Sequence, residues 1–537
     1  MKLNIFNYTF IILIILALVV AYFFSLNREY YFFQQDAEVD YFINSLLVAI
    51  GKEPESFHHP GLILQYFGGL IFYTFFSTDI VNTQTFINTM KYILFLLNIL
   101  IFSLSFLIIK NDKLKISLLI IILFCFPSFL YYLDYFSVDS LILSISTILF
   151  LQTIKILSIK NNNYELIVLS IITSFALSLK FIFLPFFFII IFCIFVKNIQ
   201  YIYLTKKFEF QKSVIFYLFF SILFFLIINF SIIEKLPYLF LNTLYEILSS
   251  FLSFKFLFLF VFLIIIFIFS FYLLFKYQFI FIKNIFLNKL LSNYLFILIG
   301  IIFLIINSIK INFNDFYILG KDTRHLLAYF VFLIYPLIFF TNKKYLIFIL
   351  STLLIINFIF ITNFVSDRNN WIKNNININL ILTKYIKENL NEDKNILIWT
   401  GSGNNNYVKE TFFMWGDYRY NREFLNKKFS NIFPKVRMLR LRTLLDNNIH
   451  KKHNQSLNII EKLSRYKIIY NQTAEITYGT KIDLNNSIFI VKKDEIKNEI
   501  GYIDEKKQFT KFLEDKIAKK YNITELNYLD KVFYVFK

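Results

Sequence analysis

Long apolar stretches alternate with short polar segments over the first two thirds of the chain, from Phe6 to Phe364. A bilayer core about 30 Å thick needs about 20 apolar residues per helix, and stretches of that length recur. The pattern predicts eleven membrane spans, at 6–26, 90–109, 114–133, 137–158, 164–179, 182–204, 213–233, 254–275, 290–309, 325–341 and 345–364. The chain is therefore predicted to be an α-helical polytopic membrane protein.

One further apolar stretch, at 61–77, is shorter than the others and carries Gly61, Gln65, Gly68 and Gly69. It is predicted not to cross the membrane, and to form an amphipathic or re-entrant helix at the outer interface. The segment from 27 to 89 then becomes one long outer loop, including its juxtamembrane helices.

Lysine-rich loops predict the orientation of the chain. They lie at 110–115, 155–163, 197–212, 276–289 and 342–344, and each is separated from the next by two predicted spans. They therefore face one side, which the positive-inside rule makes cytoplasmic, together with the basic N-terminus. The predicted location is a bacterial inner (plasma) membrane, with the intervening loops and the C-terminal tail outside.

The tail has a different pattern, with mixed polar sequence from Asp367 onward. Short β-like runs occur at Asn395–Trp399, Tyr466–Tyr470, Ile488–Val491 and Val532–Phe536, and helical stretches at Leu380–Leu390 and Phe509–Lys520. This alternation predicts a small extracytoplasmic α/β domain over 365–537, following a membrane domain over 1–364.

The net charge of +19 would suggest a nucleic-acid partner in a soluble protein, but 57% of the residues are hydrophobic. Lysine in cytoplasmic loops explains the charge, so membrane lipid is the expected partner and nucleic acid is not. Cys125 and Cys193 both lie inside apolar spans. They are interpreted as buried hydrophobes and provide neither a disulfide framework nor a metal motif.

The first outer loop concentrates acidic and imidazole groups beside the membrane, at Asp36, Glu38, Asp40, His58 and His59. If 36–50 is helical, Asp36 and Asp40 share one face at positions i and i+4, while Glu38 projects to the opposite side. That face can present two carboxylates to a substrate. The alternative is that these are solvated acids that cap an interfacial helix.

Three other predicted outer loops carry candidate substrate-binding residues. Asp139 lies at the start of one span, Lys180 in a turn between two spans, and Arg324 and His325 at the entrance of another. Lys180 can instead snorkel and Asp139 can instead cap its helix. Arginine suits phosphate because its planar fork donates two hydrogen bonds. The predicted topology brings Asp36, Asp139, Lys180 and Arg324 to one membrane face.

These residues resemble the pattern of the GT-C class of membrane glycosyltransferases, which includes protein O-mannosyltransferases and lipid A aminoarabinose transferases. In that class an acidic residue follows the first span, and a His-Pro or Pro-Pro element follows in juxtamembrane helices. Asp36 would correspond to the catalytic acid, Glu38 to its acidic partner and the His-His-Pro sequence at 58–60 to the second element. The class often has adjacent Asp-Glu, so the spacing here leaves the base open among Asp36, Glu38 and Asp40.

The resemblance implies transfer of a sugar, with inversion, from a polyisoprenyl-phosphate donor to a glycan, lipid or protein acceptor outside the cytoplasm. Such a reaction needs a base for the acceptor hydroxyl and cations for the phosphate leaving group. Asp36 is assigned as base, and Arg324 and Lys180 as phosphate ligands. A divalent metal could act with His58 or His59, but the sequence requires no cofactor.

Two other functions fit parts of the pattern. A transporter or flippase of lipid-linked saccharides would share the many spans and the basic outer residues. Transporters, however, place polar groups near the middle of the membrane in repeated halves, whereas the ionisable residues here gather at span ends and no repeat is detected. A non-catalytic membrane scaffold leaves the acidic and His-His-Pro cluster unexplained.

Overall fold

The computed structural model describes the chain in segments. These are 28–32, 37–54, 61–76, 82–108, 113–124, 126–158, 163–205, 210–230, Ile233, 293–302, 324–339 and 343–389, followed by five strands in the tail. The predicted spans at 6–26 and 254–275 lie outside the described residues. The chain divides into two compact units: Met1–Ser25, Pro60–Phe67 and Asn88–Ser366 form the first, and Leu26–His59, Gly68–Ile87 and Asp367–Lys537 form the second.

Helices account for almost all the described residues before 390. They are Ala37–Ala49, Leu62–Phe76, Thr83–Ile108, Lys113–Phe124, Pro127–Leu133, Asp139–Ser158, Asn163–Leu179, Leu184–Thr205, Phe210–Ile228, Asn293–Ile302, Arg324–Leu327, Phe330–Phe339 and Lys343–Asn389. Three segments of the described chain are long and apolar enough to cross a membrane, at Thr83–Ser105, Asp139–Ser158 and Phe181–Asn198. These helices indicate membrane association, while the count of eleven spans stays a prediction.

The helix Thr83–Ile108 has an apolar face that no other described part of the chain covers. Tyr92, Leu96, Leu100 and Leu107 lie three or four residues apart and are each more than half exposed. This spacing puts them on one side of a helix, and an exposed apolar stripe of this length suits contact with lipid chains. The exposed stripe and the hydropathy thus agree on a lipid environment.

The predicted span at 114–133 is interrupted. One helix ends at Phe124 and the next begins at Pro127, after Phe126 adopts an extended backbone with φ −75° and ψ 123°. Proline has no backbone N–H and disfavours helical geometry in the residue before it, so it begins a helix more readily than it continues one. The helix is therefore broken within the predicted span, and its crossing of a membrane stays a prediction.

The helix Asp139–Ser158 lies at the centre of the first unit, and nearly all its side chains are buried. It packs against the helices Pro127–Leu133, Asn163–Leu179, Leu184–Thr205, Arg324–Leu327 and Phe330–Phe339. The Phe150 ring contacts Phe296, Phe332 and Tyr335 at centroid distances of 5.2, 4.8 and 4.9 Å.

Contacts in the first unit show which helix ends lie next to one another. At one end the Lys197 ammonium donates to the Ile156 carbonyl, and the Asn293 amide donates to the Ser158 hydroxyl at 3.0 Å. These contacts bring Lys197 and Asn293, which lie in or beside two of the lysine-rich regions, to the end of the helix Asp139–Ser158 that precedes a third. Near the loops at 110–115 and 342–344, the Lys115 ammonium donates to the Phe339 carbonyl at 2.7 Å.

At the opposite end, Lys180 pairs with Asp139, and the Tyr329 hydroxyl donates to the Ile182 carbonyl at 3.0 Å. The Asn229 amide donates to the Ser178 hydroxyl at 2.6 Å. Described residues in or beside loops that the charge pattern assigns to the outer face therefore meet at one end of the helices. Which side of a membrane this end faces stays a prediction.

In the second unit, Gly69 brings the helices Ala37–Ala49 and Leu62–Phe76 into close contact. A Cβ atom at Gly69 would lie 2.4 Å from Cγ1 of Val48, so only glycine fits there without movement. The first helix ends at Ala49, and Gly51 follows it with a φ of +78°, which favours glycine. The rings of Phe42, Phe72 and Phe86 complete this small core, with Phe72 and Phe86 4.6 Å apart.

The tail contains a five-stranded mixed sheet in the order β2-β1-β3-β5-β4. The strands are β1 Asn395–Trp399, β2 Val436–Met438, β3 Ser487–Lys492, β4 Leu526–Leu529 and β5 Phe533–Phe536. β1 pairs in parallel with β2 and β3, and β5 pairs antiparallel with β3 and β4. Three predicted runs are thus strands. The runs at 466–470 and 509–520 lie outside the described residues, and the α/β domain stays a prediction.

The helix Lys343–Asn389 passes through the predicted boundary between the membrane domain and the tail without a break. At about 1.5 Å per residue its 47 residues are about 70 Å long, more than twice the thickness of a bilayer core. The predicted span at 345–364 and the predicted helical stretch at 380–390 therefore belong almost entirely to one continuous helix.

Candidate active site

Asp139 and Lys180 form a buried ion pair, although 41 residues separate them. Asp139 is the first residue of its helix, and Lys180 follows the end of the helix Asn163–Leu179. Lys180 has an extended backbone, with φ −161° and ψ 132°, before a 3₁₀ turn at Phe181–Phe183. This break between two helices directs the ammonium to the start of the central helix, so two predicted substrate-binding residues meet.

A second ion pair joins Lys91 to Asp134, which lies five positions before Asp139 in the chain. The sequence analysis did not predict this pair. The Lys91 ammonium is 3.3 Å from a carboxylate oxygen of Asp134, which follows the helix Pro127–Leu133. Lys91 stands among apolar residues, where an unpaired charge would be costly. That cost was a signal available in the sequence, but no sequence pattern identified Asp134 as the partner.

In both pairs the lysine is more exposed than its aspartate. The side chain of Lys180 is 12% exposed and that of Asp139 is 2% exposed, while Lys91 and Asp134 are 14% and 7% exposed. A ligand that reaches this segment would therefore meet ammonium groups before carboxylates. The aspartates compensate the buried positive charges and hold the lysines in place.

Arg324 and His325 begin the short helix Arg324–Leu327, which packs against the central helix Asp139–Ser158. Their side chains lie outside the described residues. The nearby hydrogen bond from Tyr329 to Ile182 links this part of the chain to the turn that follows Lys180. The backbone thus carries Arg324 to the same end of the helices as Asp139 and Lys180.

Glu38 in the first outer loop pairs with Arg28, which lies just after the first predicted span. One guanidinium nitrogen of Arg28 lies 3.0 and 2.8 Å from the two carboxylate oxygens, and neither side chain has exposed surface. Arg28 also donates to the Phe32 carbonyl. The Gln84 side chain accepts from the Tyr30 N–H at 2.7 Å and donates to the Arg28 carbonyl at 3.2 Å. These bonds fix the start of the loop.

Asp40 is also fully buried, in the helix Ala37–Ala49. The alternative of solvated acids is therefore wrong for Glu38 and Asp40. Asp36, His58 and His59 lie outside the described residues, so their predicted roles stay predictions. Among the residues whose placement is described, no group of three or more His, Cys, Asp and Glu side chains is arranged to hold a metal ion.

No protein-family model matches the chain. No curated protein and no solved structure is significantly similar to it. The resemblance to the GT-C class therefore rests on the residues of the sequence alone and stays a prediction.

Proposed function

We propose that this chain is a membrane glycosyltransferase that moves a sugar from a polyisoprenyl-phosphate donor to an acceptor at the extracytoplasmic face. The observation that carries the proposal is the buried Asp139–Lys180 pair. It lies at the end of the helices to which the backbone also brings Arg324. Basic groups held at the end of an apolar helix bundle suit the phosphate head of a lipid.

The reaction forms a bond between the acceptor oxygen and the anomeric carbon while the bond from that carbon to the phosphate oxygen breaks. The bonding electrons leave with the phosphate, and the proton of the acceptor hydroxyl goes to Asp36 as general base. Lys180 and Arg324 stabilise the negative charge that develops on the phosphate. Glu38, held by Arg28, supports the loop that carries Asp36, and Asp40 helps to orient it.

The proposal includes the finer architecture: eleven spans, a cytoplasmic N-terminus and an outward-facing α/β domain. It needs the acidic loop and the Lys180 segment on the same side of the membrane. The lysine-rich loops support this arrangement because two predicted spans separate each loop from the next. The contacts at the two ends of the first unit support the assignment of its helix ends to two opposite sides.

The test is a transfer assay with the purified full chain in lipid nanodiscs. Polyisoprenyl-phosphate sugars labelled in the sugar are supplied with candidate acceptors, and labelled product is measured. Asp36→Asn should lower turnover by about 10²–10⁴-fold, the usual contribution of a general base. Glu165→Gln, in the Lys155–Glu165 pair at the opposite end of the central helix, is the control and should retain turnover.

If Asp36→Asn retains turnover while Asp40→Asn or Glu38→Gln loses it, the general base is the residue whose replacement abolishes turnover. Normal turnover in all three variants would show that this loop does not supply the general base. Movement of the lipid-linked sugar across the membrane without product would favour a flippase.

A further inference from the structure

We infer that Lys91 and Ser137 complete the phosphate-binding site of the donor lipid, and that Asp134 and Asp139 are positioning residues for its two lysines. This inference rests on the proposed function for the identity of the ligand. The site is the segment 134–139 together with Lys91 and Lys180, and it is called the phosphate segment below.

The Ser137 hydroxyl is the first observation. Ser137 is fully buried, and its hydroxyl has no hydrogen-bond partner among the described residues. Its backbone is already engaged, because the N–H donates to the Tyr135 carbonyl at 3.0 Å and the carbonyl accepts from the Ser140 hydroxyl at 2.8 Å. A buried hydroxyl without a partner is costly, and a bound group at this position would supply that partner.

Other hydroxyl groups of the neighbouring helix differ from Ser137. Those of Ser144, Ser146 and Thr147 each donate to a carbonyl within the helix, as hydroxyl side chains in apolar surroundings usually do. Ser137 precedes the helix, where no carbonyl of a preceding turn is within reach in this way. Its hydroxyl is therefore suited to donate to a ligand.

The two ion pairs are the second observation, because they bracket Ser137 along the chain. Asp134 holds Lys91 and Asp139 holds Lys180, and in each pair the lysine is the more exposed partner. An ammonium carries three N–H donors, so it can hold its aspartate and donate to a second anion. Two ammonium groups paired with the ends of a six-residue segment, and one hydroxyl between those ends in sequence, offer donors for the several acceptor oxygens of a phosphate.

A lipid phosphate fits this place better than a free sugar. An uncharged hydroxyl ligand gains little from two ammonium groups, whereas a phosphate monoester or diester gains a charge-assisted hydrogen bond from each. The segment lies at the end of apolar helices, where the head of a polyisoprenyl lipid would be. Inorganic phosphate shares the chemistry but not the apolar chain, so the experiment compares the two.

The experiment measures binding by the full chain in detergent, with three probes: decaprenyl monophosphate, decaprenol and inorganic phosphate. The unmodified protein should bind decaprenyl monophosphate at least tenfold more tightly than either other probe. Lys91→Met and Lys180→Met should each weaken this binding by about tenfold or more, and Ser137→Ala by about threefold to tenfold. Lys91→Arg should retain most of the affinity because it keeps the charge.

Matched controls lie in the same helix. Lys155→Met removes the lysine of a comparable ion pair, 2.7 Å from Glu165 at the opposite end, and Ser146→Ala removes a buried hydroxyl that already has a partner. Both should change the affinity less than twofold. An equal loss in these controls, or equal binding of inorganic phosphate, would overturn the assignment of a lipid-phosphate site.

Asp139→Asn separates positioning from simple charge compensation. If Asp139 positions Lys180, the variant should bind decaprenyl monophosphate less tightly and Asp139→Glu should restore part of the affinity. Tighter binding in Asp139→Asn would overturn the positioning role. Binding of decaprenyl monophosphate can be measured without sugar transfer, so the two proposals can fail separately. Specific binding without sugar transfer would support this site and reject the transferase. Sugar transfer, together with unchanged binding in the lysine variants, would reject this site alone.

Discussion

At the scale of single residues, the Arg28–Glu38 pair shows how much depends on a partner. Both side chains are fully buried, so each charge is tolerated only because the other lies beside it. Removal of one partner leaves an uncompensated buried charge. The sequence identified Glu38 as an acid of interest, but it could not show that Arg28 holds it.

Arg28→Met or Glu38→Gln should therefore lower the free energy of unfolding by about 3–5 kcal/mol, the usual cost of breaking a buried pair. The measurement is thermal unfolding in detergent. Lys155→Met is the control, because Lys155 is 28% exposed and its pair with Glu165 is only partly buried, so its loss should cost less than the loss of the Arg28–Glu38 pair. Equal losses in the two pairs would contradict the assigned difference in burial.

Gly300 illustrates a close packing that only a structure reveals. A Cβ atom at Gly300 would lie 2.0 Å from the Phe332 ring, so Gly300→Ala should destabilise the protein by about 1–3 kcal/mol through overpacking. Adding Phe332→Leu should recover part of this loss in thermal unfolding. Gly51→Ala is the comparison, because its cost arises from a φ of +78° and should be unaffected by Phe332→Leu.

The sequence identified Asp139 and Lys180 as charges at the ends of predicted spans, and the structure pairs them. Their role in substrate binding stays a prediction. Lys91 and Ser137 could not be found in the same way. A lysine in an apolar stretch and a serine near a helix start acquire meaning only when their burial and partners are known.

At the scale of elements, hydrophobic periodicity located most of the described helices but not all their ends. The break before Pro127 follows from proline chemistry and was readable in the sequence. The continuity of Lys343–Asn389 was harder to foresee. Its sequence turns polar near Asp367 but contains neither glycine nor proline, so the change in solvent preference is not a change in backbone conformation.

The helix Leu62–Phe76 provides a test of the topology. Its 15 residues are about 22 Å long, shorter than a bilayer core of about 30 Å, and its predicted failure to cross needs a direct test. Cysteines introduced separately by Glu53→Cys and Ser77→Cys, on either side of the helix, should both react with a membrane-impermeant thiol reagent from outside. The background protein carries Cys125→Ala and Cys193→Ala so that only the introduced thiol is labelled.

Asn163→Cys is the opposite control. Asn163 is exposed and follows a lysine-rich loop, so its cysteine should be labelled only after the membrane is permeabilised. Labelling of Glu53→Cys and Ser77→Cys from opposite sides would show that the short helix crosses and would remove the eleven-span topology.

At the scale of the whole molecule, the tail sheet contains long-range pairings that local sequence patterns cannot specify. β1 and β3 run parallel and pair directly, although more than 80 residues separate them along the chain. A parallel pair needs a crossover connection, usually with a helix, whereas β4 and β5 need only a tight hairpin. The sequence predicted β1, β3 and β5 as individual strands, but their order and the short strand β2 depend on these distant pairings.

Because all five strands follow residue 394 and pair with one another, the tail should fold by itself when expressed as 390–537. Circular dichroism should show strand signal and a cooperative thermal transition, and the longer piece 372–537 should add helical signal from the end of Lys343–Asn389. Neither piece should transfer sugar, because Asp36, Lys180 and Arg324 are absent from both. A tail without cooperative unfolding would mean that the sheet needs residues 26–59 or 68–87, which belong to the same compact unit. Sugar transfer by either piece would place the catalytic groups in the tail and reject the proposed function.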